Sequence, residues 1–272
     1  MNKPINLPVL PLPQARALTL LQQDEPQISQ ISETVQTDPS MTSAVLRAAN
    51  SAASAPVNWV DSADRAIVRI GLDTTRRIVT GMVLVSSFSE LQKSGLDIDH
   101  LWGHAMACAV ITDQEQRASN GGSGGFTAGL LHDIGRMAMA QGEPELYAEV
   151  VRLVHEDDVD AREAERQVLG YDHQESGAQI AAAWNLPEAI VEAIGDHHDG
   201  TASPLARAVH DARNLAHSLG YGDGLVASHE VQEGEIELER EQKLLLSSVG
   251  GVESLRNRVD WFKNALTGKA AA

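Results

Sequence analysis

The sequence is poor in cysteine, in aromatic residues and in positive charge, and each shortage excludes a class of protein. A single cysteine among 272 residues, Cys108, excludes an internal disulfide framework. Aromatic residues make up only 4% of the chain, which disfavours a β-rich core, because strands are enriched in these side chains. Only 21 basic residues oppose 38 acidic ones, and the net charge is −17. Such a chain repels phosphate backbones and anionic lipids, so neither nucleic acid nor a membrane is an expected partner.

The chain also lacks a long apolar run. No segment reaches the roughly 18 apolar residues that a membrane span needs, and no signal-peptide core follows the start Met1-Asn2-Lys3-Pro4. These features predict a cytoplasmic protein. What is abundant is Leu, Val, Ile and Ala in helical spacing, without alternation of period two. The predicted fold class is therefore all-α.

Local signals predict where individual helices begin and end. Asp38-Pro39 is typical of a helix start, with Asp38 as N-cap and Pro39 at the first helical position. Single helices are predicted over 100–115 and 125–139. Near the end of the chain, Gly222 to Glu241 is acidic and predicts a connector.

An amphipathic helix is predicted beyond the connector. Its apolar stripe consists of Val252, Leu255, Val259, Phe262 and Leu266, spaced by three or four residues. The stripe either docks on the core of the protein itself or forms a seam with a partner or a second copy.

The most informative segment is the apolar run from Ala128 to Arg136, which contains the adjacent pair His132-Asp133. A buried imidazole and carboxylate are costly unless something pairs with both, so the pair indicates a metal site or a polar network. Further histidines stand before and after it, namely His104, His173, His197 and His198. His104 is either a ligand or a core histidine, and His197-His198 either join a site or stabilise the carbonyls of a helix end.

A longer pattern surrounds this pair and resembles a known family. The pattern comprises Leu7-Pro8, Leu10-Pro11, Asp38-Pro39, Ala49-Asn50-Ser51-Ala52, Ala66-Ile67, Leu72, Arg76-Arg77, Leu101-Trp102-Gly103-His104, the run from Ala128 to Gly135, Asp172-His173, Gly177-Ala178, Trp184-Asn185-Leu186-Pro187, Ala193-Ile194 and His197-His198. In this order the motifs resemble the HDOD domain, the HD-related output domain of bacterial signalling proteins. The resemblance implies an HDOD domain over 7–220, with an N-terminal helical half (7–95) and an HD-like half (96–220). Residues 221–272 then form the acidic connector and the amphipathic helix.

The resemblance extends to the HD phosphohydrolases, which hold a divalent metal that activates water. It implies that His104, His132 and Asp133 correspond to three of their ligands. His173, His197 and His198 resemble histidines added in the cyclic-dinucleotide phosphodiesterase branch.

The position of the last family aspartate is occupied by Arg213, and a guanidinium cannot ligate a cation. At about 4–5 Å from a divalent ion, this exchange costs several kcal/mol even at an effective dielectric near 20. The sequence therefore predicts a degenerate metal site without a cofactor, in which Arg213 pairs with Asp133.

The functional expectation is a non-catalytic signalling or regulatory module that acts through contacts with a signalling protein. The alternative is a metal-dependent phosphohydrolase or phosphodiesterase acting on a nucleotide or cyclic dinucleotide, with a divalent metal as cofactor. Binding of a small nucleotide without turnover lies between the two. The sequence does not define the oligomeric state.

Overall fold

A computed structural model gives the structure of the chain and describes residues 12–21, 27–51, 59–88, 90–119, 124–225 and 237–267. These residues form fifteen α-helices, one short 3₁₀ helix (Leu91–Ser94) and no strand. The helices are α1 (Leu12–Leu21), α2 (Ile28–Gln36), α3 (Pro39–Asn50), α4 (Ala63–Ile70), α5 (Leu72–Ser87), α6 (Ile98–Ala118), α7 (Gly125–Leu131), α8 (Ile134–Gly142), α9 (Pro144–Glu156), α10 (Ala161–Leu169), α11 (His173–Ala183), α12 (Glu188–Gly195), α13 (Pro204–Ser218), α14 (Arg240–Ser248) and α15 (Gly251–Thr267). The predicted all-α fold class is confirmed. Among the helices so described, none combines the length and apolar character that a membrane crossing requires.

The chain divides into two compact units. In the described part, one unit contains α6 to α14, the 3₁₀ helix and the start of α15, up to Val259. The other contains α1 to α5 and α15 from Asp260 onward. The predicted cap of α3 is confirmed, because the Asp38 carboxylate accepts hydrogen bonds from the backbone N–H groups of Ser40 and Met41 and Pro39 begins the helix.

The predicted single helix over 125–139 is wrong, because the chain forms two helices there. α7 ends at Leu131 and α8 begins at Ile134, with His132 and Asp133 at the junction. Asp133 has φ −97° and ψ 17°, outside the α-helical region. The break turns the two polar side chains out of the regular helical register, which sequence periodicity alone does not reveal.

Four of the five residues of the amphipathic stripe of α15 are buried, and Val252 is half-buried. Leu255 is 0% exposed and Phe262 4% exposed. Within the unit that contains α3 and α5, Arg47 donates hydrogen bonds to the carbonyl oxygen of Ala265 at 2.7 and 3.1 Å. The docking alternative is therefore confirmed for this helix. The acidic connector, by contrast, falls largely on 226–236, outside the described residues.

Two glycines allow the helices around the junction to approach closely. A Cβ atom on Gly129 would lie 2.6 Å from the carbonyl oxygen of Cys108 on α6. On Gly135 it would lie 2.0 Å from the carbonyl oxygen of His173 on α11. Side chains at either position would push α6 or α11 away from the junction, so both glycines set the distances within the candidate site.

Candidate metal centre

The structure brings all six predicted site residues together inside one unit. His104 lies on α6, His132 and Asp133 lie at the α7–α8 junction, His173 begins α11, and His197 and His198 follow α12. Apart from the half-buried His198, these side chains are at most 1% exposed.

Four of the histidines are oriented by hydrogen bonds at Nδ1. Those of His104, His132 and His197 lie 2.9, 2.8 and 2.8 Å from the carbonyl oxygens of Tyr221, Gly129 and Ile194. His173 Nδ1 lies 2.6 Å from the carboxylate of Glu165. Since each partner is an acceptor, the Nδ1 atoms carry the protons and the Nε2 atoms carry free lone pairs. This is the arrangement that metal-ligating histidines adopt.

The Nε2 atoms converge on one another. His104 Nε2 and His132 Nε2 are 3.2 Å apart, and His173 Nε2 lies 3.3 Å from His197 Nε2 and 2.9 Å from His198 Nε2. Two unprotonated nitrogens cannot hydrogen-bond to each other, and a cation between them would relieve their repulsion. The residues present therefore fit a divalent metal ion.

Asp133 lies between the two groups of histidines. Its Oδ1 is 3.5 Å from the Nε2 atoms of both His173 and His197, and its Oδ2 is 3.4 Å from His132 Nε2. Neither oxygen accepts a hydrogen bond, although the residue is buried and occupies the N-cap position of α8. A buried carboxylate without hydrogen-bond donors is rare, and here it faces the Nε2 atoms of three histidines.

The buried charges around the cluster are unbalanced. Arg136 Nη1 lies 3.4 Å from Asp133 Oδ2 and 2.7 Å from a carboxylate oxygen of Asp223, and Arg136 Nε lies 3.8 Å from Glu165. One guanidinium thus opposes three buried carboxylates, which leaves two negative charges when the imidazoles are neutral. A divalent cation would neutralise this excess.

These surroundings determine the protonation of the cluster. Burial disfavours the ionised form of Asp133, but Arg136 and His132 outweigh it and hold the pKa of that carboxyl well below its usual value. Burial, reinforced by His132, lowers the pKa of His104 well below its usual value, and burial lowers the pKa of His197 to about 3. At neutral pH Asp133 is therefore an anionic carboxylate, and His104 and His197 are neutral imidazoles, the states in which these groups ligate metals.

The expected pairing of Arg213 with Asp133 is wrong. Among the ion pairs of the described residues, the arginine beside Asp133 is Arg136, three positions along the same chain segment. Arg213 is half-buried on α13 and acts electrostatically on Cys108, His198 and His217. The prediction was based on the cost of an unpaired buried carboxylate, and the positive charge that Asp133 requires is provided by Arg136 instead.

Sequence reasoning missed several residues of the cluster. Glu165 and Asp223 lie far from the His-Asp pair in sequence and in no recognised motif, and Asp223 was assigned to the connector. His217 likewise stands in none of the motifs, yet its ring centroid lies 4.6 Å from that of His104, and burial lowers its pKa to about 4. Its spacing of four from Arg213 on α13 is the signal that places both on one helix face.

A curated relative with a similar sequence covers much of the chain. It is an uncharacterised protein of Treponema pallidum (strain Nichols), 22% identical over 203 residues, which are 73% of this chain and 39% of the relative. The chain thus spans about two fifths of the length of that relative.

Solved structures show the same fold. A crystal structure from Shewanella amazonensis SB2B, provisionally named a phosphohydrolase, is 24% identical with a TM-score of 0.74 and covers 96% of this chain and 95% of its own. A structure from Marinobacter aquaeolei VT8, provisionally named a signal transduction protein, is 24% identical with a TM-score of 0.73 and covers 95% of this chain and 60% of its own. The family model of the HDOD domain matches residues 7–200. Since this match covers well over half of the sequence, the chain belongs to the HDOD family.

Proposed function

We propose that this HDOD protein is a divalent-metal-binding regulatory module, in which a bound ion holds α6, α8, α11 and α12 in one arrangement for recognition by a signalling protein. The main expectation from the sequence is a site without a cofactor, and the alternative is a divalent metal. The proposal adopts the alternative. The observation that carries it is the convergence of Nδ1-anchored histidines on the Asp133 carboxylate, which lacks hydrogen-bond donors.

Burial supports a regulatory rather than a catalytic ion. Catalytic metal sites keep a coordination position open to substrate, whereas structural sites are closed by protein ligands. His104, His132, His173 and His197 are each 0% exposed, and Asp133 is 1% exposed. When bound, the ion would supply fixed positive charge that joins four helices. Asp133 and the histidines would orient it, and Arg136 would fix the second oxygen of the carboxylate.

Metal analysis of untagged protein tests the proposal. We expect about one or more equivalents of a transition metal after purification or after dialysis against Zn²⁺, Fe²⁺ or Mn²⁺. Asp133→Asn and His132→Gln should lose it, while His155→Gln should not, because His155 is exposed on α9. Substoichiometric metal in the folded wild-type protein under all three conditions would overturn the proposal.

A second candidate function is a metal-dependent phosphohydrolase. The observation in its favour is the half-buried edge of the cluster, where Arg213 lies near His198 and His217. A cation beside neutral imidazoles suits a phosphate group. Hydrolysis of cyclic dinucleotides or bis(p-nitrophenyl) phosphate by the metal-loaded protein, lost in Asp133→Asn, would establish this function. Nucleotide binding without turnover would instead identify a regulatory ligand.

A further inference from the structure

The single cysteine of the chain lies at one edge of the histidine cluster. Cys108 follows His104 by one helical turn on α6, so both side chains share a helix face. Its side chain is 0% exposed, and Sγ lies 3.5 Å from His104 Nε2, which is itself 3.2 Å from His132 Nε2. The three donor atoms all lie within 4.8 Å of one another.

Two of these separations match the edges of a tetrahedral zinc site. Zn–N bonds of 2.0–2.1 Å and Zn–S bonds of 2.3 Å place two nitrogens about 3.3 Å apart, and a nitrogen and a sulfur about 3.6 Å apart. The observed distances are 3.2 Å and 3.5 Å.

The Asp133 carboxylate provides independent evidence for a ligand here. It is 1% exposed, and both oxygens lack a hydrogen-bond donor. Arg136 approaches the same Oδ2 atom from the side of Asp223. On the side of the histidines, the neighbouring polar atoms are the Nε2 atoms of His132, His173 and His197, at 3.4 to 3.5 Å.

We propose that Cys108 is a thiolate ligand, and that His104, Cys108 and His132 form a soft donor set that selects zinc-like ions over Mg²⁺ and Mn²⁺. The inference rests on the proposed metal-binding function and adds the identity of the metal. Binding replaces the thiol proton, which leaves to solvent, and changes no oxidation state. Thiolate sulfur prefers Zn²⁺ and Co²⁺, whereas Mg²⁺ and Mn²⁺ prefer oxygen ligands. The thiolate also supplies an anionic ligand. The family resemblance places Arg213 where the HD phosphohydrolases have a carboxylate ligand, so that negative ligand is otherwise missing.

Anaerobic titration of the metal-stripped protein with Co²⁺ tests the thiolate directly. Because the chain has one cysteine, any sulfur-to-cobalt charge-transfer band in the near ultraviolet reports Cys108. We expect the band to saturate with bound Co²⁺ and to disappear when Zn²⁺ displaces it. Cys108→Ser should bind Zn²⁺ at least about tenfold more weakly and show no band. His155→Gln should keep the band.

The outcomes separate this inference from the proposed function. Stoichiometric Co²⁺ without the band would overturn the thiolate ligand and leave the metal-binding function standing. Failure to bind Co²⁺ or any other metal would overturn both. If Cys108→Ser does not fold, X-ray absorption of the zinc-loaded wild type decides, since a sulfur neighbour at about 2.3 Å is required.

Discussion

At the scale of single residues, the two arginines near the cluster have opposite roles. Arg136 is 0% exposed and lies beside three buried carboxylates, whereas Arg213 is half-buried on α13. Removing one member of a buried ion network leaves the other charges without compensation, which typically costs about 3–5 kcal/mol. The contribution of a half-buried arginine is smaller because solvent screens it.

We therefore predict that Arg136→Met destabilises the protein by about 3–5 kcal/mol, or prevents folding, because Asp133, Asp223 and Glu165 lose their shared cation. Arg213→Met serves as the matched control and should change the free energy of unfolding by less than about 1 kcal/mol. Urea denaturation of both variants, without added metal, measures the difference. Equal destabilisation by the two substitutions would contradict this account.

The sequence identifies the histidines and the aspartate that converge in the cluster. It does not identify the carboxylates that contact them. His104, His132, Asp133, His173, His197 and His198 carry family motifs, and the fold brings them together. Glu165 and Asp223 reach the cluster only through tertiary packing, so no local pattern marks them. From the sequence, Cys108 is only the single cysteine of the chain, because its proximity to His104 Nε2 depends on the rotamers of two side chains on α6.

At the scale of helices, the site depends on the close approach of α8 and α11. We predict that Gly135→Ala destabilises the protein by at least about 3 kcal/mol, because its Cβ would lie 2.0 Å from the His173 carbonyl oxygen. The atoms nearest to this Cβ are backbone atoms of His173 and Gly177, so no flexible side chain can move aside. Thermal unfolding monitored by circular dichroism measures the loss.

Gly103→Ala on α6 is the matched control for this substitution. There the new Cβ would lie 3.7 Å from a ring carbon of Tyr221, an ordinary contact. Alanine is favoured over glycine in a helix interior by about 0.5–1 kcal/mol, so stability should be unchanged or slightly raised. A similar loss in both variants would show that the α8–α11 approach is not the cause.

The last helix provides a second test at this scale. Its stripe was predicted from spacing alone, and Phe262 is 4% exposed in the structure. We predict that Phe262→Ala costs about 3–5 kcal/mol, as for other buried aromatic side chains. Arg256→Ala, on the exposed side of α15, should cost less than about 0.5 kcal/mol. Chemical denaturation compares the two. A stable Phe262→Ala protein that loses self-association would instead identify the stripe as an interface.

At the scale of the whole molecule, the net charge is −17, and part of this negative charge lines one cavity. A cavity of about 420 Å³ between α6, α13 and α14 is lined by Glu115, Asp211, Glu239 and Glu241. Burial raises the pKa of Glu115, and Asp211 raises it further. Burial likewise raises the pKa of Asp211 and outweighs the opposing effects of Arg207 and His210, and Glu241 adds a smaller increase. Glu115 Oε2 also lacks a hydrogen-bond partner among the described residues.

A raised carboxyl pKa makes the folded state bind protons more tightly than the unfolded state. Stability then falls as pH rises from the unfolded value near 4.5 through the higher folded value, and the penalty persists at neutral pH. We predict that Glu115→Gln removes this penalty and raises the melting temperature at pH 7 to 8, with a gain below about 1 kcal/mol because the site is partly solvated. Below about pH 4.5 both proteins carry a neutral side chain, so the gain should vanish. Glu192→Gln, at an exposed position on α12, should show little change at any pH. A gain for Glu115→Gln that is independent of pH would attribute the effect to packing of the amide rather than to removal of charge.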